Sequence, residues 1–251
     1  MKGTVYLVGA GPGAADLLTV RAARLLTEAD IVFHDALVPE AILALASRAE
    51  KIAVGKRCGR HSTAQQFINK RLADAARHHR VVVRLKGGDP MLFGRAQEEI
   101  RFLRLRGIAV EIVPGVTAAL AASADLGVSL TQRGLARSVS FVTPRVGAGE
   151  AASSWVAAVL AADTAAIYMG AGDALAISQA LISAGKPPST PVAVVENASL
   201  AEERAVCGRL DALPALATQL SGGPALIFLG EVFSDAAAAI RPALPRRSQA
   251  R

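Results

Sequence analysis

Aromatic side chains are scarce in this sequence. Seven Phe, two Tyr and one Trp make up 4% of it, although 52% is hydrophobic. The core therefore has to be packed from Ala, Val, Leu and Ile. Cysteine is scarcer still. Cys58 and Cys207 stand far apart with no metal-ligand spacing around them, which excludes a disulfide scaffold and fits a reduced, cytoplasmic protein. His34, His61, His78 and His79 form no zinc pattern. No apolar run reaches membrane-spanning length, because Arg, Asp or Glu interrupts each one. The opening MKGTVYLVGAGPG enters a strand at once, without an apolar leader region or a cleavage site, so no secretory signal is expected.

The net charge of +7 needs discounting. Arg241, Arg246, Arg247 and Arg251 lie in RPALPRRSQAR, whose composition is that of a disordered end. Without them the body is only modestly basic. It has neither a Lys/Arg-rich helix nor a basic stripe with interleaved aromatics, which argues against nucleic acid. A small polyanionic substrate suits the remaining surplus.

At 251 residues the chain can hold one large domain or two of ordinary size. Alternating strand and helix patterns favour an α/β class. The most informative stretch is VVVRLKGGDPMLFGR, residues 81–95. Three consecutive β-branched valines predict a short strand buried on both faces. Gly87-Gly88-Asp89-Pro90 then stops it, and an amphipathic helix begins near Arg95. Glycines at a strand end let bare backbone meet a ligand, and Asp89 adds a carboxylate there. An ordinary strand-to-helix turn would use the same residue types. What raises this one above that is repetition. Strands 4–8, 31–34 and 51–54 end in Gly9-Ala10-Gly11-Pro12-Gly13, His34-Asp35 and Gly55-Lys56-Arg57. In an open parallel sheet these carboxyl ends share one edge, where ligands bind. Asp35 and Lys56 there are candidates for proton transfer or substrate anchoring.

Gly9-x-Gly11-x-x-Ala14 nominally matches a dinucleotide fingerprint, so a nicotinamide-dependent oxidoreductase is one reading. Pro12 and Gly13 in the variable positions, followed by Ala14-Ala15-Asp16, predict a loop before the helix instead. Another strand, 109–113, leads into Pro114-Gly115 and Thr117. Near Gln132-Arg133-Gly134 the pattern restarts, which places a domain boundary at 130/131 and a second domain over 131–240. That half reads as strands 138–143, 164–169, 191–195, 203–208 and 225–230 with helices 154–162, 174–184 and 210–220. The strand 203–208 pairs best as a hairpin partner, which makes the second sheet mixed.

In order along nearly the whole chain stand VYLVGAGPG, DLLT, the Asp35 strand end, GKR, VVRLKGGDP with FGR and EE, VPG with TAA, LT.R, YMG, TPVAVVEN and PALI with GEV. Together they resemble the tetrapyrrole (corrin/porphyrin) methylases, and RLKGGDP with GKR is similar to the branch that methylates uroporphyrinogen III on carbon. The resemblance implies two α/β/α domains, the first mainly parallel and the second mixed, with S-adenosylmethionine held between them in a homodimer. It implies methylation at C2 and C7 to give precorrin-2, for sirohaem or cobalamin, with S-adenosylhomocysteine as by-product. Pro12, Gly87, Gly88, Asp89, Leu92, Thr117, Ala118, Met169 and Ala198 match donor-binding positions, although Ala198 stands where the family usually has glycine. Asp35 and Lys56 match a proton acceptor and donor. Arg95, Glu98 and Arg133 match polar positions facing the tetrapyrrole. No metal is implied.

The chain departs from the family's pattern at Ala14, at Ala96-Gln97 within its usual GRGGEE, at Gln132 and Gly134 within LTHRD, and at Pro144-Arg145 within VTGH. Most of these fall on the substrate side. The resemblance therefore bears on the donor more than on the acceptor, and a paralogue acting on or binding another tetrapyrrole is an alternative.

Overall fold

The structure is a computed structural model that describes residues 3–54, 63–147, 149, 151 and 153–238. The chain divides into two compact units, residues 1–118 and 119–251. The first is a parallel five-stranded sheet of β1 (Thr4–Gly9), β2 (Ile31–His34), β3 (Glu50–Ala53), β4 (Val81–Lys86) and β5 (Ala109–Val113), in the order β3-β2-β4-β1-β5. Its helices are α1 (Val20–Glu28), α2 (Glu40–Leu43), α3 (Thr63–His78) and α4 (Ala96–Arg104). Side chains alternate across each strand, and the two faces bury separate cores. Leu7, Phe33 and Val82 pack with Leu72 of α3 and Ile100 and Leu103 of α4. Val8, Val32, Val83 and Leu85 pack with Leu25 and Leu26 of α1 and Ile42 of α2. This is the expected α/β/α sandwich.

The helices leaving β1 and β4 lie on opposite faces, so these neighbouring strands form a topological switch point. Ligand crevices of open α/β sheets lie outside the carboxyl ends of such strands. α1 begins only at Val20, after a single 3-10 turn at Ala15–Leu17, and Thr19 caps it by accepting from the Ala22 N–H at 3.2 Å. No helix therefore opens on Gly11, and the dinucleotide fingerprint lacks the helix N-terminus that would hold a pyrophosphate.

The second unit holds β6 (Val139–Val142), β7 (Thr164–Tyr168), β8 (Pro191–Glu196), β9 (Arg204–Arg209) and β10 (Ala225–Leu229), in the order β6-β7-β10-β8-β9. Only β6 and β7 pair in parallel, so the sheet is mixed as expected. α5 (Ala118–Leu126), α6 (Trp155–Ala161), α7 (Ala174–Ser183), α8 (Leu213–Ala217) and α9 (Ser234–Ala238) complete it. The division falls at the start of α5, ahead of the expected 130/131. The reason is local: the Ala119 N–H donates to Tyr168 Oη, and Asp125 accepts from the Ser199 N–H. The helix expected over 210–220 is a 3-10 turn at Leu210–Ala212 and then α8, with Pro214 in its first turn, where the missing N–H does least harm. Between β2 and β3 the chain is α-helical only over α2. The tail from 241 onward lies outside the described residues.

Candidate active site

The carboxyl ends of β1, β4 and β5 meet backbone to backbone. Gly11 and Gly88 exchange two hydrogen bonds, the Gly88 N–H donating at 2.7 Å and the Gly11 N–H at 3.2 Å. Gly115 lies against both loops. A Cβ on it would stand 2.4 Å from the Gly88 carbonyl oxygen and 2.9 Å from Gly9 Cα. Asp89 fastens the same junction, one oxygen accepting from the Met91 N–H at 2.7 Å and the other from the Gly115 N–H at 2.9 Å. What Asp89 offers a ligand is thus mainly its place in the loop.

Gly87 and Gly88 differ from these packed glycines. Gly88 needs its residue type for a φ of +66°, and a Cβ there would meet only Thr117 Cα, at 4.0 Å. Gly87 has no such φ, and its Cβ would make ordinary contact with Leu37 at 3.4 Å. The fold tolerates a side chain at 87, so the bare backbone there is free to face a ligand. Pro12, Leu92, Thr117 and Ala118 are half-buried around these loops.

Beneath the loop lies a charged cluster that strand-end reasoning missed. Arg84 and Lys86 point to the Val82 face of β4 and are 2% and 4% exposed, while Glu99 of α4 is fully buried. Glu99 Oε1 accepts from Arg84 Nε at 3.2 Å, from Lys86 Nζ at 3.3 Å and from Gln65 Nε2 at 3.0 Å. Arg84 Nη1 donates to the Phe33 and Leu85 carbonyls, and Nη2 to Asp35 Oδ1 at 2.5 Å. Asp35 is therefore oriented by a buried cation. Burial, together with the like charge of Arg84, holds the Lys86 pKa below its ordinary value against the pull of Glu99 and Asp35. Two signals could have exposed this cluster. Charges two apart inside a valine-rich strand share one face, and Ala96, Glu99, Ile100 and Leu103 follow the 3–4 spacing of a buried helix stripe.

Arg95 and Glu98 come together as an exposed bidentate pair, with Nε donating at 2.7 Å and Nη2 at 2.8 Å. Arg95 holds a φ of 54° and Phe93 one of 53°. Lys56 lies outside the described residues.

In the second unit the strained positions again stand past strand ends. Met169 after β7 has φ 56°, and Asn197 and Ser199 after β8 have φ 53° and 67°. β10 runs antiparallel to both strands, so β7 and β8 run the same way and these turns share one sheet edge. Non-glycine residues in this region are uncommon and gather at functional sites. Ala198 is buried in the second turn and Met169 is half-exposed. Glu196 anchors the turn by accepting from the Ser221 N–H at 2.9 Å and the Gly223 N–H at 2.6 Å. Burial raises its pKa, yet these donors outweigh burial and hold it below the usual carboxylate value. Arg133 is exposed and lines an open depression of about 450 Å³ with Thr131, Gln132, Ala136 and Arg137. Among the described residues no cluster of three His, Cys, Asp or Glu could hold a metal, and no helix is long and apolar enough to cross a membrane.

A uroporphyrin-III C-methyltransferase from Thermus thermophilus, solved with S-adenosyl homocysteine, superposes with a TM-score of 0.82 at 43% identity, covering 93% of this chain and all of that one. A cobalt precorrin-4 methyltransferase of cobalamin biosynthesis gives 0.79 at 30% identity, over 91% of this chain and 95% of its own. The sirohaem synthase of Chromobacterium violaceum is 48% identical over 232 residues, which are 92% of this chain and 49% of that protein. The chain thus spans about half the length of the curated relatives it matches. Residues 4–214 match the family model of tetrapyrrole (corrin/porphyrin) methylases. The chain belongs to the tetrapyrrole methylase family.

Proposed function

We propose that the chain transfers methyl groups from S-adenosylmethionine to C2 and C7 of uroporphyrinogen III, giving precorrin-2 for sirohaem or cobalamin. The observation that carries this reading is the match, over nearly the whole chain, to a methyltransferase solved with S-adenosyl homocysteine. The Gly87–Gly88 cradle supports it, because the fold leaves open there the space that a Cβ would fill.

The donor supplies an electrophilic sulfonium methyl, which an electron-rich pyrrole β-carbon can attack in line without a metal. Holding two reactants at near-attack distance can supply roughly 7–11 kcal/mol. Pro12, Gly87, Gly88, Asp89, Leu92, Thr117 and Ala118 are the residues that hold the donor; Met169 and Ala198 match further donor-binding positions of the family. Asp35 has Oδ1 fixed by Arg84, so Oδ2 is the atom that takes the ring proton after attack. Arg133 and Arg95 grip acceptor carboxylates with the planar fork that lysine lacks. Arg95 exchanges Glu98 for substrate when it does so. The chain works in the cytoplasm as a homodimer, which light scattering would check.

The test is incubation with labelled S-adenosylmethionine and freshly generated uroporphyrinogen III, reading product masses. Two added methyls are expected; one would restrict the reaction to a single site, and none would overturn the reading. Calorimetry should show S-adenosylhomocysteine binding more tightly than NAD. The reverse order would favour the nicotinamide alternative.

A further inference from the structure

Among the described residues, Glu99 is the one buried carboxylate that pairs with both cations of β4. Its side chain is fully buried, as are those of Arg84 and Lys86 nearly, while Asp35 keeps 27% exposure at the end of β2. The four groups carry two positive and two negative charges. A buried pair is costly to form and more costly to break, because the partner left behind has no water to turn to. A fold needing only a filled core would be served at least as well by apolar residues here. Such a cluster is therefore better explained by what it holds in place.

It holds Arg84. The guanidinium is fixed on three sides: Nε on Glu99, Nη1 on two backbone carbonyls, and Nη2 on Asp35. Glu99 is itself braced by Gln65, which also donates to Asn69 at 3.0 Å. Orientation thus passes from α3 and α4 through Glu99 and Arg84 to the one member of the cluster that reaches solvent. We propose that Glu99 is a positioning residue for methyl transfer, acting on Asp35 through Arg84, with Lys86 as its second cationic partner in the core. This rests on the methyltransferase reading above. Glu99 touches no substrate in this account.

A double-mutant cycle tests it. Glu99→Gln keeps the side-chain shape and should lower kcat about ten- to hundredfold, with S-adenosylhomocysteine affinity and acceptor KM unchanged. In an Asp35→Asn background the same substitution should cost less than about threefold, because the pathway has already lost its end. Equal losses in both backgrounds would overturn the proposal and leave Glu99 a packing residue. Should Glu99→Gln fail to fold, Glu99→Gln/Lys86→Met keeps the buried charge balanced and takes its place in the cycle. A readout without substrate accompanies these. Exchange of the Arg84 Nε proton with water, followed by NMR, should quicken in Glu99→Gln; unchanged exchange would overturn the link between Glu99 and Arg84. If the unsubstituted chain methylates nothing, the functional reading falls and the catalytic role of Glu99 with it, whereas failure of the cycle alone leaves that reading standing.

Discussion

The two units solve the same problem, a rigid set of turns at one sheet edge, by different chemistry. In the first, the turns after β1, β4 and β5 are packed glycine on glycine, with Gly9, Gly88 and Gly115 in backbone contact. Charge is placed underneath, inside the sheet, as Arg84, Lys86 and Glu99. In the second, the turns after β7 and β8 carry side chains at positive φ, and carboxylates hold them from the side: Glu196 through Ser221 and Gly223, Asp125 and Glu203 through Ser199. The difference follows from topology. A parallel sheet brings all its carboxyl ends to one edge and crowds the turns there, so backbone must meet backbone. The mixed sheet sends β10 back between β7 and β8, which spaces their turns and leaves room for side chains.

The largest effect should come from breaking the crowded edge. Gly115→Ala drives a Cβ into the Gly88 carbonyl and should cost about 3 kcal/mol or more of stability, read from denaturant melts. Gly87→Ala, one residue from that junction, should change stability by no more than about 0.5 kcal/mol while weakening S-adenosylhomocysteine binding in calorimetry. Equal melts for the two variants would mean that the glycines are not divided between packing and ligand space.

Next in size is the cation each unit offers. In the first unit Arg84 and Arg95 are already paired, whereas Arg133 in the second has no ion pair among the described residues. Arg133→Ala should lower catalytic efficiency about ten- to hundredfold with donor affinity unchanged, and Arg133→Lys should recover only part. Loss of donor affinity instead would place Arg133 on the wrong side of the reaction.

The smallest effects are in pH; both make stability rise with pH, at opposite ends of the pH scale. Glu196 has a folded pKa below its unfolded one, so its contribution is complete above the ordinary glutamate range of about 4.3 and is lost as pH falls through the lower folded value. The exposed Asp163 behaves alike, its pKa lowered by the Arg137 and Ser138 N–H groups and the Ser138 hydroxyl. Lys86 has a folded pKa below 10.5. Between that folded value and 10.5 the unfolded chain binds more protons, and stability rises with pH. Denaturation midpoints across pH should therefore flatten at the acid end in Glu196→Gln and at the alkaline end in Lys86→Met.

Much of this was legible in the chain itself. The valine run of β4 and the punctuating glycines follow from local preferences: a β-branched run for extension and a missing Cβ for tight turns. The order of motifs was enough to place the chain in its family. The glycines could not be told apart, because Gly87 and Gly115 look alike until the neighbouring elements are in place; a Cβ on one would make ordinary contact with Leu37, and on the other it would stand 2.4 Å from a carbonyl oxygen. Nor could Asp35 be assigned a partner, since Arg84 stands 49 residues away along the chain and meets it across the β2–β4 pairing. Residue type and spacing act over a few positions and so specify strands, turns and family. Which charges are buried together depends on sheet order, a long-range property that exists only once β4 lies between β2 and β1.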